Sequence, residues 1–176
     1  SALSAAFADV VERHETLRTV YPEVDGSPEQ VVLNAARTPA TITPIRIERH
    51  ELGGRLHELV AKGFDVTIDT PFRIALFEMS PTEYELAMVL HHIAADGASF
   101  GPLARDVLLA YSSRIQGRAP EWTPLEVQYA DYALWQRAVL GPETDPHSLA
   151  AREIAYWSAT LEDLPDQLAL PSSRPR

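Results

Sequence analysis

Cysteine is absent from the 176 residues, which excludes disulfides and thiolate-held metals and leaves the redox compartment open. Lysine is nearly absent: Lys62 is the only one, so positive charge is carried almost entirely by arginine. The net charge of −10 weighs against nucleic acid or an anionic membrane as the main partner. No apolar run approaches the roughly 20 residues needed to cross a bilayer, and Ser1-Ala2-Leu3-Ser4 has neither the basic nor the apolar part of a secretion signal. There is no low-complexity tract and no internal repeat. These absences predict a soluble, cytoplasmic protein with neither membrane nor nucleic acid among its partners. What remains is a globular composition, 45% apolar and 23% charged, in a chain long enough for one ordinary domain with a core.

Leu3, Phe7, Val10, Val11, His14 and Leu17 recur at three- and four-residue steps and predict a helix over 3–19, with Ser4 as its cap. Strands are predicted over 29–33 and 41–47, separated by turn-forming residues around Thr38-Pro39. A helix over 52–62 is stopped by Gly63. Phe72 to Met79 and Tyr84 to His91 follow as strands that are apolar on both faces, as strands covered on each side are. Three more helices are predicted over 100–114, 125–139 and 147–162. From Leu164 the periodicity stops, and Leu164-Pro165 and Leu170-Pro171 bracket an extended tail that reads as a connector.

The short polar loop Ser80-Pro81-Thr82-Glu83 makes the two long strands an antiparallel hairpin. A four-residue loop sets Phe72 opposite His91 and Arg73 opposite Leu90. Arg73 is the only charge in its strand before Glu78, and a buried guanidinium needs an anion. Asp96, just past the neighbouring strand, is the expected partner. Removing one member of such a buried pair costs about 3–5 kcal/mol.

The segment that carries chemistry is His91-His92-Ile93-Ala94-Ala95-Asp96-Gly97, at the end of the second strand and just before a helix. Imidazole is the side chain whose unperturbed pKa lets it take and give a proton near neutrality. Adjacent strand residues point to opposite faces, so the two histidines cannot fill one pocket together. His-His-x-x-x-Asp also offers three metal ligands, but neighbours on a strand diverge and no other His/Glu spacing suits a metal. Ser99 suggests a Ser-His-Asp triad, but no Gly-x-Ser-x-Gly elbow is present. A metal-free acid–base site is therefore favoured. His14, His50, His57 and His147 read as surface or core residues. Tyr129, Tyr132 and Gln136 share a helix face that reads mainly as packing.

The segment 91–97 resembles the HHxxxDG signature of condensation domains from non-ribosomal peptide synthetases, within the chloramphenicol acetyltransferase-like superfamily. Four further segments match in order. Arg13-His14-Glu15-Thr16-Leu17-Arg18-Thr19 resembles the RHExLRT helix, and Phe64-Asp65 with Pro71-Phe72-Arg73 resembles FDxxxxPLFR, with one residue of Leu-Phe absent. Tyr129 to Gln136 is similar to YxDYAxWQ, and Tyr156-Trp157 through Leu170-Pro171 to the family's YWxxxLxxLP exit.

The resemblance implies an α/β fold, an open-faced α/β sandwich forming one lobe of a two-lobed domain with its site in a tunnel between lobes. Residues 1–163 would be part of the N-terminal lobe, without the family's first motif, and 164–176 a connector toward an absent C-terminal lobe. The implied reaction is amide-bond formation between donor and acceptor thioesters on phosphopantetheine arms of upstream and downstream peptidyl carrier proteins, inside a multidomain synthetase. No cofactor is bound directly. By motif position, His92 and Gly97 are the implied catalytic residues, His91, Asp96 and Arg73 support the motif, and Ser99 and Tyr132 are candidates for the tunnel wall.

Ala98 and the run Gly101-Pro102-Leu103-Ala104-Arg105-Asp106 resemble the subtype that takes a D-configured donor. The alternatives are a non-catalytic lobe that docks a carrier protein or recruits another enzyme, an epimerisation-type relative, and a coenzyme A-dependent acyltransferase. The chain alone is expected to be folded but inactive.

Overall fold

The computed structural model describes residues 1–37 and 41–165. The turn expected around Thr38-Pro39 and most of the connector expected at 164–176 lie outside the described residues. The chain divides into two compact units, Ser1–Tyr129 and Ala130–Arg176.

In the first unit, helix α1 (Ala2–Arg13) starts on Ser1, whose side chain accepts the Ser4 N–H, so the cap is Ser1 rather than Ser4. The helix buries Ala6, Phe7, Val10 and Val11. It ends at Arg13, six residues earlier than periodicity suggests. The cause is outside the helix: Gln128 accepts from the Glu15 N–H at 3.2 Å and donates to the Arg13 carbonyl at 2.9 Å. Those contacts satisfy the end groups of the helix and let residues 15–18 tighten into a 3₁₀ turn that buries Leu17. Short strands follow: β1 (Thr19–Val20) pairs with β4 (Val31–Val32), and β2 (Glu23–Val24) with β3 (Ser27–Pro28).

Strand β5 (Pro44–Arg46) runs into helix α2 (Leu52–Ala61) and back to β6 (Phe72–Ser80), which it pairs with in parallel. β6 pairs antiparallel with β7 (Glu83–Leu90), giving the sheet order β5-β6-β7. Alternation along β6 assigns its faces. Ala75, Phe77 and Met79, with Ala87 of β7, face α2 through Ile47, Leu52, Leu56 and Leu59. Phe72 and Ile74, with Leu86, Met88 and Leu90, face the cluster of α1 and helix α3 (Phe100–Ile115). Val107 and Ala110 are the buried α3 residues in that cluster, and both Ala110 and Ala6 of α1 are fully buried there. Bidentate bonds from Arg114 to Asp9, at 2.7 and 2.5 Å, fasten the same two helices.

The hairpin differs from expectation by one residue over most of its length. Its turn is Pro81-Thr82, with Ser80 opposite Glu83, and a bulge between Glu78 and Ser80 absorbs the odd residue. Phe72 then faces Leu90 and Arg73 faces Val89. The bulge keeps like faces together: Ile74 meets Met88 on the α1/α3 side and Ala75 meets Ala87 on the α2 side.

The second unit holds most of helix α4 (Tyr129–Leu140) and all of helix α5 (Leu149–Thr160). Gly141 closes α4 with φ +72, and a Cβ there would meet Ser148 Cβ at 3.0 Å. Ser148 caps α5 by accepting the Ala151 N–H at 3.0 Å. No helix among the described residues is long and apolar enough to cross a membrane.

Candidate active site

The sequence placed both histidines at a strand end, with side chains to opposite faces. β7 ends at Leu90, and both histidines lie beyond it, in a turn. His91 closes that turn. Its N–H donates to the Pro71 carbonyl at 2.8 Å, its carbonyl accepts from Ala94 N–H at 3.0 Å, and its Nδ1 accepts from Ile93 N–H at 3.0 Å. An Nδ1 that accepts leaves the neutral ring its proton on Nε2. The His91 ring also meets Phe64 edge-on, at 5.8 Å between centroids. His92 differs in kind: it is exposed and makes no hydrogen bond, ion pair or ring contact with another described residue. Both its nitrogens are open to a reacting group.

Asp96 does not meet Arg73. Its Oδ1 accepts from the Ser99 N–H at 3.0 Å and the Ser99 hydroxyl at 2.7 Å, while Ser99 Oγ accepts the Asp96 N–H at 3.0 Å. This reciprocal cap opens the 3₁₀ turn Gly97–Ser99 that leads into α3. The Ser99 hydroxyl, and after it the Ser99 N–H, hold the Asp96 carboxyl below its ordinary pKa. The hydroxyl expected on a tunnel wall is thus engaged with Asp96. Gly97 has no left-handed φ, and a Cβ on it would meet nothing within 4 Å. The fold of the unit itself therefore does not demand glycine here.

Arg73 takes the α2 side of the sheet because it alternates in step with Ala75 and Phe77 along β6. There its NH1 donates to the Lys62 carbonyl and its NH2 to the Gly63 carbonyl, each at 2.5 Å, with Asp69 Oδ2 at 3.3 Å. Its Cζ lies 3.7 Å from the Phe64 ring centroid. The expected Arg73–Asp96 pair is replaced by a guanidinium that finishes α2 and stacks on the residue after it. The loop it anchors is tightened by Asp65, whose Oδ1 accepts the Thr67 N–H at 3.1 Å and hydroxyl at 2.6 Å.

Arg73, Phe64, His91 and the His92 turn are thus joined by direct contacts, while Asp96 and Ser99 form a second group at the start of α3. Tyr132 lies on α4 in the second unit, where its hydroxyl accepts from Gln136 Nε2 at 3.3 Å and its ring lies 5.7 Å from Trp135. Among the described residues no three His, Asp or Glu side chains gather into a metal-binding group.

Sequence reasoning missed a buried latch between α1 and α3. Asp106 Oδ2 accepts from Arg13 Nε and His14 Nε2, each at 2.9 Å, and Oδ1 from the Arg105 fork at 3.1 Å. Burial pushes the Asp106 carboxyl up, but hydrogen bonds from His14, Arg13 and Arg105 outweigh it and hold the carboxyl below its ordinary value. Arg13 also donates to the Thr123 carbonyl at 2.7 Å and lies 4.8 Å over the Trp122 ring. One signal was available: an acid at 106 on the stripe of Leu103, Val107 and Ala110, where a charge needs partners.

This arrangement has close relatives. The chain is 51% identical over its whole length to a probable non-canonical nonribosomal peptide synthetase, CymA, of Salinispora arenicola, and 50% identical over 175 residues to a dimodular nonribosomal peptide synthase of Bacillus subtilis. It spans only 2% and 7% of those two proteins. Among solved structures, the X-domain from teicoplanin biosynthesis superposes with a TM-score of 0.89 at 39% identity, over 99% of this chain and 38% of that one. The same domain in complex with OxyB gives 0.90. The epimerization domain from the third module of tyrocidine synthetase B, at 24% identity and 0.74, shares the fold. The mixed α/β fold is accordingly one lobe of the larger chloramphenicol acetyltransferase-like domain, as the motifs implied. A family model described as Condensation domain matches residues 1–176, so the turn that carries His92 belongs to a member of the condensation-domain family of non-ribosomal peptide synthetases.

Proposed function

We propose that the protein containing this chain forms an amide bond between two thioesters held on the phosphopantetheine arms of an upstream and a downstream peptidyl carrier protein. The observation that carries the reading is His92: an exposed imidazole without a hydrogen-bond, ion-pair or ring partner among the described residues, between a bonded His91–Ile93 pair and a bonded Asp96–Ser99 pair, in a chain of this family. The acceptor's amine nitrogen attacks the donor's thioester carbon. A C–N bond forms, the C–S bond breaks, and the electron pair leaves on the pantetheine sulfur. The proton given up by nitrogen reaches that sulfur, with His92 either relaying it as base and then acid or holding the amine in line while it transfers. Gly97 fits this role, since the space beside it is free for a substrate backbone.

The D-configured donor is supported by Ala98. Asp106, in the run that also resembles that subtype, has a packing role of its own.

Rates for the intact synthetase offered carrier-bound or coenzyme A-bound donors test the substrate class. The carrier-bound donor should be used and the coenzyme A thioester should not. Equal use of both would favour the free acyltransferase.

A second reading, recruitment of another enzyme, is supported by the X-domain neighbour, whose structure is described as a complex with OxyB. The unpartnered His92 and open Gly97 favour catalysis over it, because a docking lobe needs neither.

A further inference from the structure

We infer that Phe64 is a positioning residue for His92, acting through His91; the inference rests on the condensation reading above. The His92 side chain makes no hydrogen bond, ion pair or ring contact with another described residue, so its place depends chiefly on the backbone of its turn. That backbone hangs on His91, through the Pro71 carbonyl at 2.8 Å, the Ala94 N–H at 3.0 Å and the ring Nδ1 that takes the Ile93 N–H at 3.0 Å. The last bond exists only while the imidazole keeps one rotamer and the Nε2–H tautomer.

Phe64 packs against that imidazole. Its ring meets the His91 ring at 83° between planes and 5.8 Å between centroids, an edge-to-face contact. Phe64 is held in turn by Arg73, 3.7 Å from its centroid, and Arg73 is pinned by the Lys62 and Gly63 carbonyls at 2.5 Å. Tyr21 N–H, bonded to the Val66 carbonyl at 2.8 Å, ties down the loop beyond. The end of α2 is thus linked by ring contacts to the turn that presents His92. With an aliphatic side chain at 64 the imidazole gains room to rotate, Ile93 N–H loses its acceptor, and His92 loses its fixed bearing. Tyrosine at 64 keeps the ring and both contacts.

The test measures peptidyl transfer by the intact synthetase with loaded donor and acceptor carrier proteins, for wild type, Phe64→Leu, Phe64→Tyr and His92→Ala. Phe64→Leu should lower kcat about tenfold or more while the KM for the acceptor carrier stays within about twofold, because the reacting geometry is lost and the docking surface is kept. Phe64→Tyr should restore kcat. If Phe64→Leu gives no folded protein, Phe64→Met takes its place with the same expectation. A leucine or methionine variant with wild-type kcat, or a tyrosine variant as slow as the leucine one, overturns the inference. Wild-type transfer by His92→Ala would instead overturn the condensation reading on which it rests.

Discussion

Arg73 stacks on Phe64, with its Cζ 3.7 Å from the ring centroid, and spends its hydrogen bonds on the carbonyls of Lys62 and Gly63. Arg73 is thus the clasp between the last turn of α2 and the middle of the sheet. Truncation to alanine hands two exposed carbonyls to water and frees the ring, at a cost of about 0.5–1.5 kcal/mol. Lysine does not rescue it, because an ammonium cannot fork to two carbonyls and lie flat on a ring. Thermal unfolding of the domain checks both, and adds a sharper outcome: the Tm losses of Arg73→Ala and Asp96→Ala should simply add in the double variant. Strong non-additivity would restore the Arg73–Asp96 pair expected from sequence.

Asp106 carries the heavier structural role. It is buried and receives Arg13, His14 and Arg105, so Asp106→Ala leaves Arg13 with a buried charge and no anion, and should cost about 3–5 kcal/mol in a denaturant titration. Its carboxyl is held below its ordinary pKa, so its contribution is full above the unfolded value of about 4 and is lost as pH falls through the lower native value. Wild type should therefore lose stability on acidification below about pH 4 more steeply than Asp106→Asn. Parallel acid limbs for the two proteins would contradict the latch.

Gly97 separates folding from chemistry. With open space at its Cβ position and no left-handed φ, Gly97→Ala should fold with a Tm near that of wild type yet slow peptidyl transfer, since the added methyl occupies the room left for substrate. A large drop in Tm would make the glycine structural instead.

Much of this was legible in the sequence because it depends on spacing. The strand, helix and strand that become β5, α2 and β6, the hairpin and α3 follow from apolar periods and turn residues, and the candidate site from two histidines beside an acid and a glycine; the parallel pairing of β5 with β6 was not foreseen. The partners of Arg73 and Asp96 were not legible. Their assignment depended on a hairpin register that one bulge between Glu78 and Ser80 shifts by a residue. The early end of α1 was hidden for a different reason: Gln128, 115 positions from Arg13, supplies the bonds that stop it. Such long-range side-chain bonds to the backbone leave no periodic trace.

The most direct measurement is single-turnover peptidyl transfer between loaded carrier proteins by the intact synthetase and its His92→Ala variant, with carrier affinity measured alongside. The account predicts that transfer falls by at least about a hundredfold while both carriers still bind as they do to wild type. Transfer at the wild-type rate would contradict it.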